Sequence, residues 1–86
     1  MKKFSYIIKN KEGVHARPAG ELIKTAGEFR ANIELQAKGQ TVSLKGGIFA
    51  LMGLGLRSGE EIDVVCSGPD EAEAFAAVKA KVEELF

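Results

Sequence analysis

The sequence predicts an α+β fold: an open-faced β-sandwich in which three helices cover one face of a four-stranded antiparallel sheet, in chain order β-α-β-β-α-β-α. Three observations predict it. Short β-prone stretches are interleaved with stretches of helical period. Two of the strands, about 32–37 and 40–44, lie so close together that a tight antiparallel turn must join them. And 86 residues, 45% of them hydrophobic, support one domain, 1–86. At this size roughly two-thirds of the unfolded surface can be buried, so a two-layer fold closes without metals or disulfides.

The first strand is "KFSYIIK", with Phe4, Tyr6 and Ile8 on one face and Ile7 on the other. "NKEG" then turns the chain. From Ala16 to about Phe29, the residues Ala19, Leu22, Ile23, Ala26 and Phe29 recur at helical spacing. Pro18 fits only the first turn of that helix, where its missing N–H costs nothing. Arg17, Gly20, Glu21 and Lys24 share the opposite, solvent-facing side. A glycine there costs up to ~1 kcal/mol relative to alanine, and it leaves a flat spot beside Arg17. The second and third strands meet at Lys38-Gly39. In "KGGIFALMGLGL" the apolar run is short and framed by glycines, so Gly47 to Met52 is read as one or two helical turns. "EEIDVVCS" is the fourth strand, with Ile62, Val64 and Cys66 facing one way. The closing helix, "PDEAEAFAAVKAKVEELF", has Phe75, Val78, Val82 and Leu85 as its buried stripe. Asp70, Glu71 and Glu73 suit its positive N-terminal end.

Composition narrows the function classes. Lys and Arg number 12, Asp and Glu 12, so the formal net charge is zero. Phosphate backbones want a basic surplus, which argues against nucleic acid as the main partner. The lone cysteine, Cys66, has no internal disulfide partner and suits a reducing compartment. The opening "MKKFSYIIKNKEG" does not read as a signal peptide, and no stretch is apolar for long enough to insert in a membrane. A cytoplasmic location is expected.

The chemistry concentrates in "GVHARPAG", residues 13–20. His15, the only histidine, stands where the first helix begins. A helix N-terminus offers unpaired N–H groups and a partial positive charge, so it favours anions. The amides of Ala16 and Arg17 should point toward the His15 ring, and the Arg17 guanidinium can take two phosphate oxygens at once. A ring nitrogen of His15 is then expected to act as a nucleophile toward such an anion. Together these groups would receive a phosphoryl group bonded to the ring itself. A histidine at a helix start is also an ordinary cap or solvated residue. One His and one Cys far apart are no metal set. The glycines of "GGIFALMGLG" match neither a Walker nor a dinucleotide pattern, and no nucleophile elbow accompanies His15.

"GVHARPAG" resembles the active-site signature of the HPr family, the histidine-containing phosphocarriers of the phosphoenolpyruvate-dependent sugar phosphotransferase system. The similarity extends to length, element order, the Gly39 hairpin, "LGLRSG" and the acidic start of the last helix. It implies a sheet of strand order 1-4-2-3. It implies that His15 carries the phosphoryl group on Nδ1, that Arg17 steadies it and that the Ala16 and Arg17 amides cradle it. Enzyme I would be the donor and the IIA domains of sugar permeases the acceptors. The chain would be a monomeric relay and not an enzyme in the turnover sense. It would need no metal or organic cofactor, magnesium belonging to enzyme I. Gly20 and Lys24 on the first helix, with Ile48, Phe49 and Met52 on the second, are the implied partner-binding residues, although two of the last three could simply fill the core.

The sequence also departs from the family. Relatives from Gram-positive bacteria carry a kinase-regulated serine at the start of the short second helix. Here "SLKGGIFALMGLG" is one residue longer than that pattern. Counting forward from Lys45 puts Gly46 at the position, and counting back from Gly55 puts Gly47 there. Both registers give glycine, so serine regulation is expected to be lost; Ser43 lies in a strand. Gly13 is expected to let the loop bend without obstructing a partner, and Glu12 to point into solvent. Two further readings stay open: a regulatory paralogue, such as the nitrogen-related branch, and a docking or anion-binding module that is never phosphorylated.

Overall fold

In the computed structural model, which describes residues 1–86, the element order is β1 (Lys2–Ile7), α1 (Ala16–Ala26), β2 (Asn32–Ala37), β3 (Gln40–Ser43), α2 (Ile48–Met52), β4 (Glu61–Ser67) and α3 (Glu71–Leu85). The sheet is antiparallel throughout, in the order β1-β4-β2-β3. Lys38 and Gly39 join β2 to β3 with φ of 55° and 75°. Both angles are left-handed, as a two-residue hairpin turn matched to strand twist requires.

Alternation then decides which face is covered. Ile33, Leu35 and Ala37 of β2 and Ile62, Val64 and Cys66 of β4 are buried, whereas Glu34, Gln36, Asp63 and Val65 between them are only half-buried. The buried set joins Ala19, Leu22 and Ala26 of α1, Leu51 of α2 and Ala74, Val78 and Val82 of α3 in one cluster of 21 residues. All three helices therefore cover a single face, and the buried list contains no polar or charged residue. Burial pushes the Cys66 thiol upward in pKa, with the nearby negative charge of Glu71 adding to the effect. This is an inert core cysteine.

Two details differ from the sequence reading, the end of α1 and the buried stripe of α3, while Phe4, Tyr6 and Ile8 share the core side as expected. Helix α1 ends at Ala26 instead of continuing to Phe29. Gly27 is a poor helix former, and beyond it the bonds tighten: Glu28 N–H donates to Thr25 O and Phe29 N–H to Ala26 O. Phe29 still packs against the core from that turn. On α3 the fully buried positions are Ala74, Val78 and Val82, one helical face at four-residue spacing. Phe75 and Leu85 flank that face, half-buried, and Phe75 meets Phe4 edge-on with ring centroids 5.5 Å apart. Tyr6 is likewise half-buried, while Ile8, just past β1, is 1% exposed.

The acidic start of α3 serves the neighbouring loop more than its own helix. Asp70 caps no α3 amide with its side chain. Its carboxylate instead accepts the N–H groups of Arg30 (2.8 Å) and Ala31 (2.7 Å). Lys45 Nζ approaches the same turn, donating to Phe29 O (2.5 Å) and Ala31 O (3.3 Å).

Candidate functional site

His15 is the N-cap residue of α1, with extended backbone angles (φ −123°, ψ 176°). Its carbonyl accepts the Ala19 N–H at 3.0 Å, the first bond of the helix. Its ring makes no capping bond and is half-buried. Ala16 and Arg17 are the first two helical residues, and their amides donate to no acceptor in the protein. Pro18, third in the helix, has no N–H to leave unpaired and is buried. The first turn thus presents two free donors beside an imidazole that is neither entombed nor used as a cap. Arg17 is exposed and forms no ion pair within the chain. This arrangement can receive an anion and leaves a ring nitrogen available for bonding.

The loop leading to His15 is fixed on two sides. Toward the sheet, Val14 N–H donates to Leu56 O at 3.1 Å. Gly13, with φ 67°, lies so tightly on the same carbonyl that a Cβ would collide with Leu56 O and come within 2.9 Å of Arg57 Cα. The bend expected at Gly13 is present, and contact within the chain adds a second reason for glycine there: the residue is buried against the 55–60 loop. Toward the end of α3, the Lys9 and Asn10 amides donate to Phe86 O at 2.6 and 2.9 Å. Glu12 is exposed, as expected, and its amide is held by Asn10 Oδ1 at 2.9 Å.

The 55–60 loop that forms this wall has its own braces. Glu60 Oε1 accepts the Arg57 N–H at 2.7 Å and lies 3.3 Å from Lys38 Nζ, which donates to Gly55 O at 3.0 Å. Sequence reasoning gave this loop no role, since only the "LGLRSG" likeness pointed to it.

The expected partner-binding residues do not share one environment. Phe49 is 87% exposed, whereas Ile48 and Met52 are half-buried against the core and Leu51 is fully buried. Lys24 is exposed. Gly20 is half-buried and faces α2: a Cβ there would lie 3.8 Å from Ile48 Cδ1. The sequence reading had placed Gly20 toward solvent. The N-cap of α2 is Gly47, at φ 139°, with no side chain to cap the helix; Gly46 precedes it.

Two shallow surface hollows, of about 510 and 280 Å³, lie elsewhere, and neither is lined by His15 or Arg17. Ala16 and Arg17 are exposed and His15 is half-buried, so the first turn of α1 can be reached from solvent.

Known proteins resemble this chain in both sequence and fold. A family model described as "PTS HPr component phosphorylation site" matches residues 2–84. The chain is 40% identical to the phosphocarrier protein HPr of Mycoplasma genitalium over 84 residues, which is 98% of this chain and 96% of that one. The solved histidine-containing phosphocarrier protein of Mycoplasma superposes with a TM-score of 0.92 at 37% identity, covering 96% of this chain and 93% of that one. Crh, the catabolite repression protein of Bacillus subtilis, described as a swapped dimer, matches with a TM-score of 0.76 at 33% identity, covering 92% and 90%.

Proposed function

This chain belongs to the HPr family of phosphocarriers of the phosphotransferase system, and on that footing we propose that His15 accepts a phosphoryl group from enzyme I and passes it to the IIA domains of sugar permeases. One observation carries the proposal: an uncapped, half-exposed histidine stands beside the two unpartnered amides of Ala16 and Arg17. In the first transfer the Nδ1 lone pair attacks phosphorus in line as the bond to the donor breaks. In the second, the N–P bond breaks as the acceptor attaches. In both, charge spreads over three equatorial oxygens, where preorganised donors act most strongly. The Ala16 and Arg17 amides take two of those oxygens, and the free guanidinium of Arg17 pairs with the group bidentately.

The partner docks across α1 and α2, with Phe49 as its apolar anchor, Lys24 and the Gly20–Ile48 junction beside it, and Met52 at the edge. The carrier works as a monomer in the cytoplasm; none of its helices is long and apolar enough to cross a membrane. It needs no cofactor, and with glycine at positions 46 and 47 it lacks the regulatory serine.

Incubation with enzyme I and labelled phosphoenolpyruvate tests the reading. Wild type takes one acid-labile label, His15→Ala takes none while keeping its circular dichroism, and Arg17→Ala is labelled about ten- to hundredfold more slowly. That range corresponds to a charge-assisted bond of ~1.5–3 kcal/mol. A wild type that stays unlabelled leaves only a docking or anion-binding module. A second reading, a regulatory carrier, is favoured by the glycine cap of α2 and the likeness to Crh. Transfer to nitrogen-type but not sugar-type IIA domains would select it.

A further inference from the structure

We propose that Asn10 is a positioning residue for phosphoryl transfer at His15, an inference that rests on the reading of His15 as the acceptor. Asn10 is half-buried, and both its side-chain polar atoms and both its backbone polar atoms are engaged. Its N–H donates to Phe86 O at 2.9 Å and its Nδ2 to Leu85 O at 3.2 Å, so two bonds tie it to the end of α3. Its Oδ1 accepts the Glu12 N–H at 2.9 Å and its carbonyl accepts the Gly13 N–H at 3.0 Å, so two more shape the loop that ends on His15. The Oδ1 bond is an Asx turn, in which the side chain replaces a backbone acceptor and fixes the next two residues.

Lys11 and Glu12, which the turn encloses, are exposed and bring no packing of their own. Between Asn10 and the Val14–Leu56 bond no other hydrogen bond orders the backbone, and only Gly13 packs against the 55–60 loop. Removing the Asn10 side chain breaks the Nδ2–Leu85 and Glu12–Oδ1 bonds and loosens this end of the loop, while the backbone bonds to Phe86 and from Gly13 remain and Leu56 holds the other end. His15 keeps its place in the fold but loses its fixed aim, and a misplacement of about 1 Å at a reacting group is worth up to about a hundredfold in rate. The docking residues on α2 are untouched, so the loss belongs to kcat and not to KM.

The experiment measures steady-state phosphorylation of the purified carrier by enzyme I, with phosphoenolpyruvate as donor, for wild type, Asn10→Ala and Asn10→Ser at a temperature where each is fully folded. Serine keeps a hydroxyl able to accept the Glu12 N–H and gives up the donor to Leu85. Expected is a fall in kcat of at least fivefold for Asn10→Ala with KM within twofold, and recovery to within threefold of wild type for Asn10→Ser. A smaller fall, a loss carried by KM, or a serine variant no better than alanine overturns the proposal, since a purely structural asparagine would change the unfolding midpoint without this pattern. If Asn10→Ala does not fold, Asn10→Ser decides: kcat within threefold of wild type supports the proposal, and a larger fall overturns it. A wild type that takes no label overturns both this inference and the reading beneath it. A labelled wild type with an unaffected Asn10→Ala overturns this inference alone.

Discussion

Phe49 exposes 87% of its surface on a helix whose Leu51 is 1% exposed. Because its ring leaves little apolar area behind when removed, Phe49→Ala should change stability by no more than about 0.5 kcal/mol. As the anchor of a docking surface it should matter there: steady-state kinetics with enzyme I should show KM for the carrier rising about tenfold with the unfolding midpoint unchanged. An unchanged KM would remove Phe49 from the surface. Gly20 makes the opposite kind of test. It lies inside α1 without positive φ, and a Cβ would meet Ile48 Cδ1 at an ordinary 3.8 Å. Gly20→Ala should therefore stabilise by about 0.5–1 kcal/mol, or roughly 2–8 °C in Tm by differential scanning calorimetry. A lower Tm would show that the α1–α2 junction is tighter than this distance implies. Single residues also mark where the sequence was legible. The placing of His15 at the start of α1 and of Arg17 in its first turn was, because a helix start is a local feature. The collision that dictates Gly13 was not, because Leu56 reaches it only through tertiary contact.

Among the elements, the junction of α3 with the α1–β2 turn carries a pH dependence. The Arg30 and Ala31 N–H groups hold the Asp70 carboxyl below its usual range, with Lys45 adding to the effect. Glu71 is held low by the N-terminal ammonium at 2.5 Å and by the Gly68 N–H. A carboxyl whose pKa is lower folded than unfolded adds stability that is fully present above the unfolded value, about 4. That stability is lost as pH falls through the lower, folded value. Asp70→Asn should lower the urea midpoint at about pH 7, and the gap to wild type should narrow as pH falls through the carboxylate range. A gap independent of pH would assign the role of Asp70 to shape alone. Elements were read well where their signal was periodic: β2, β3 and β4 fall within a residue of expectation. The end of α1 was misread because Phe29 continues the helical spacing while Gly27 ends the helix. The facing of α2 could not be read from five residues, and packing settled it.

For the molecule as a whole, strand order is the property least visible in local pattern. β1 pairs with β4 across most of the chain, Phe4 opposite Val64 and Tyr6 opposite Ile62, and only the family resemblance pointed to that pairing. The consequence is functional. The return of β4 beside β1 brings the 55–60 loop against the loop before α1, and α3 ends on Lys9 and Asn10. The active loop is thus held from two directions by distant parts of the chain, while the first turn of α1 stays open to solvent. The proposed relay would need both: a rigid mount, and a face that two different partners can reach in turn. The most direct measurement is a phosphorus NMR spectrum of the carrier after treatment with enzyme I and phosphoenolpyruvate. A phosphoramidate resonance that is missing in His15→Ala, and that vanishes when a IIA domain is added, is the predicted result. A wild-type spectrum without that resonance, or one in which it survives replacement of His15, contradicts the account.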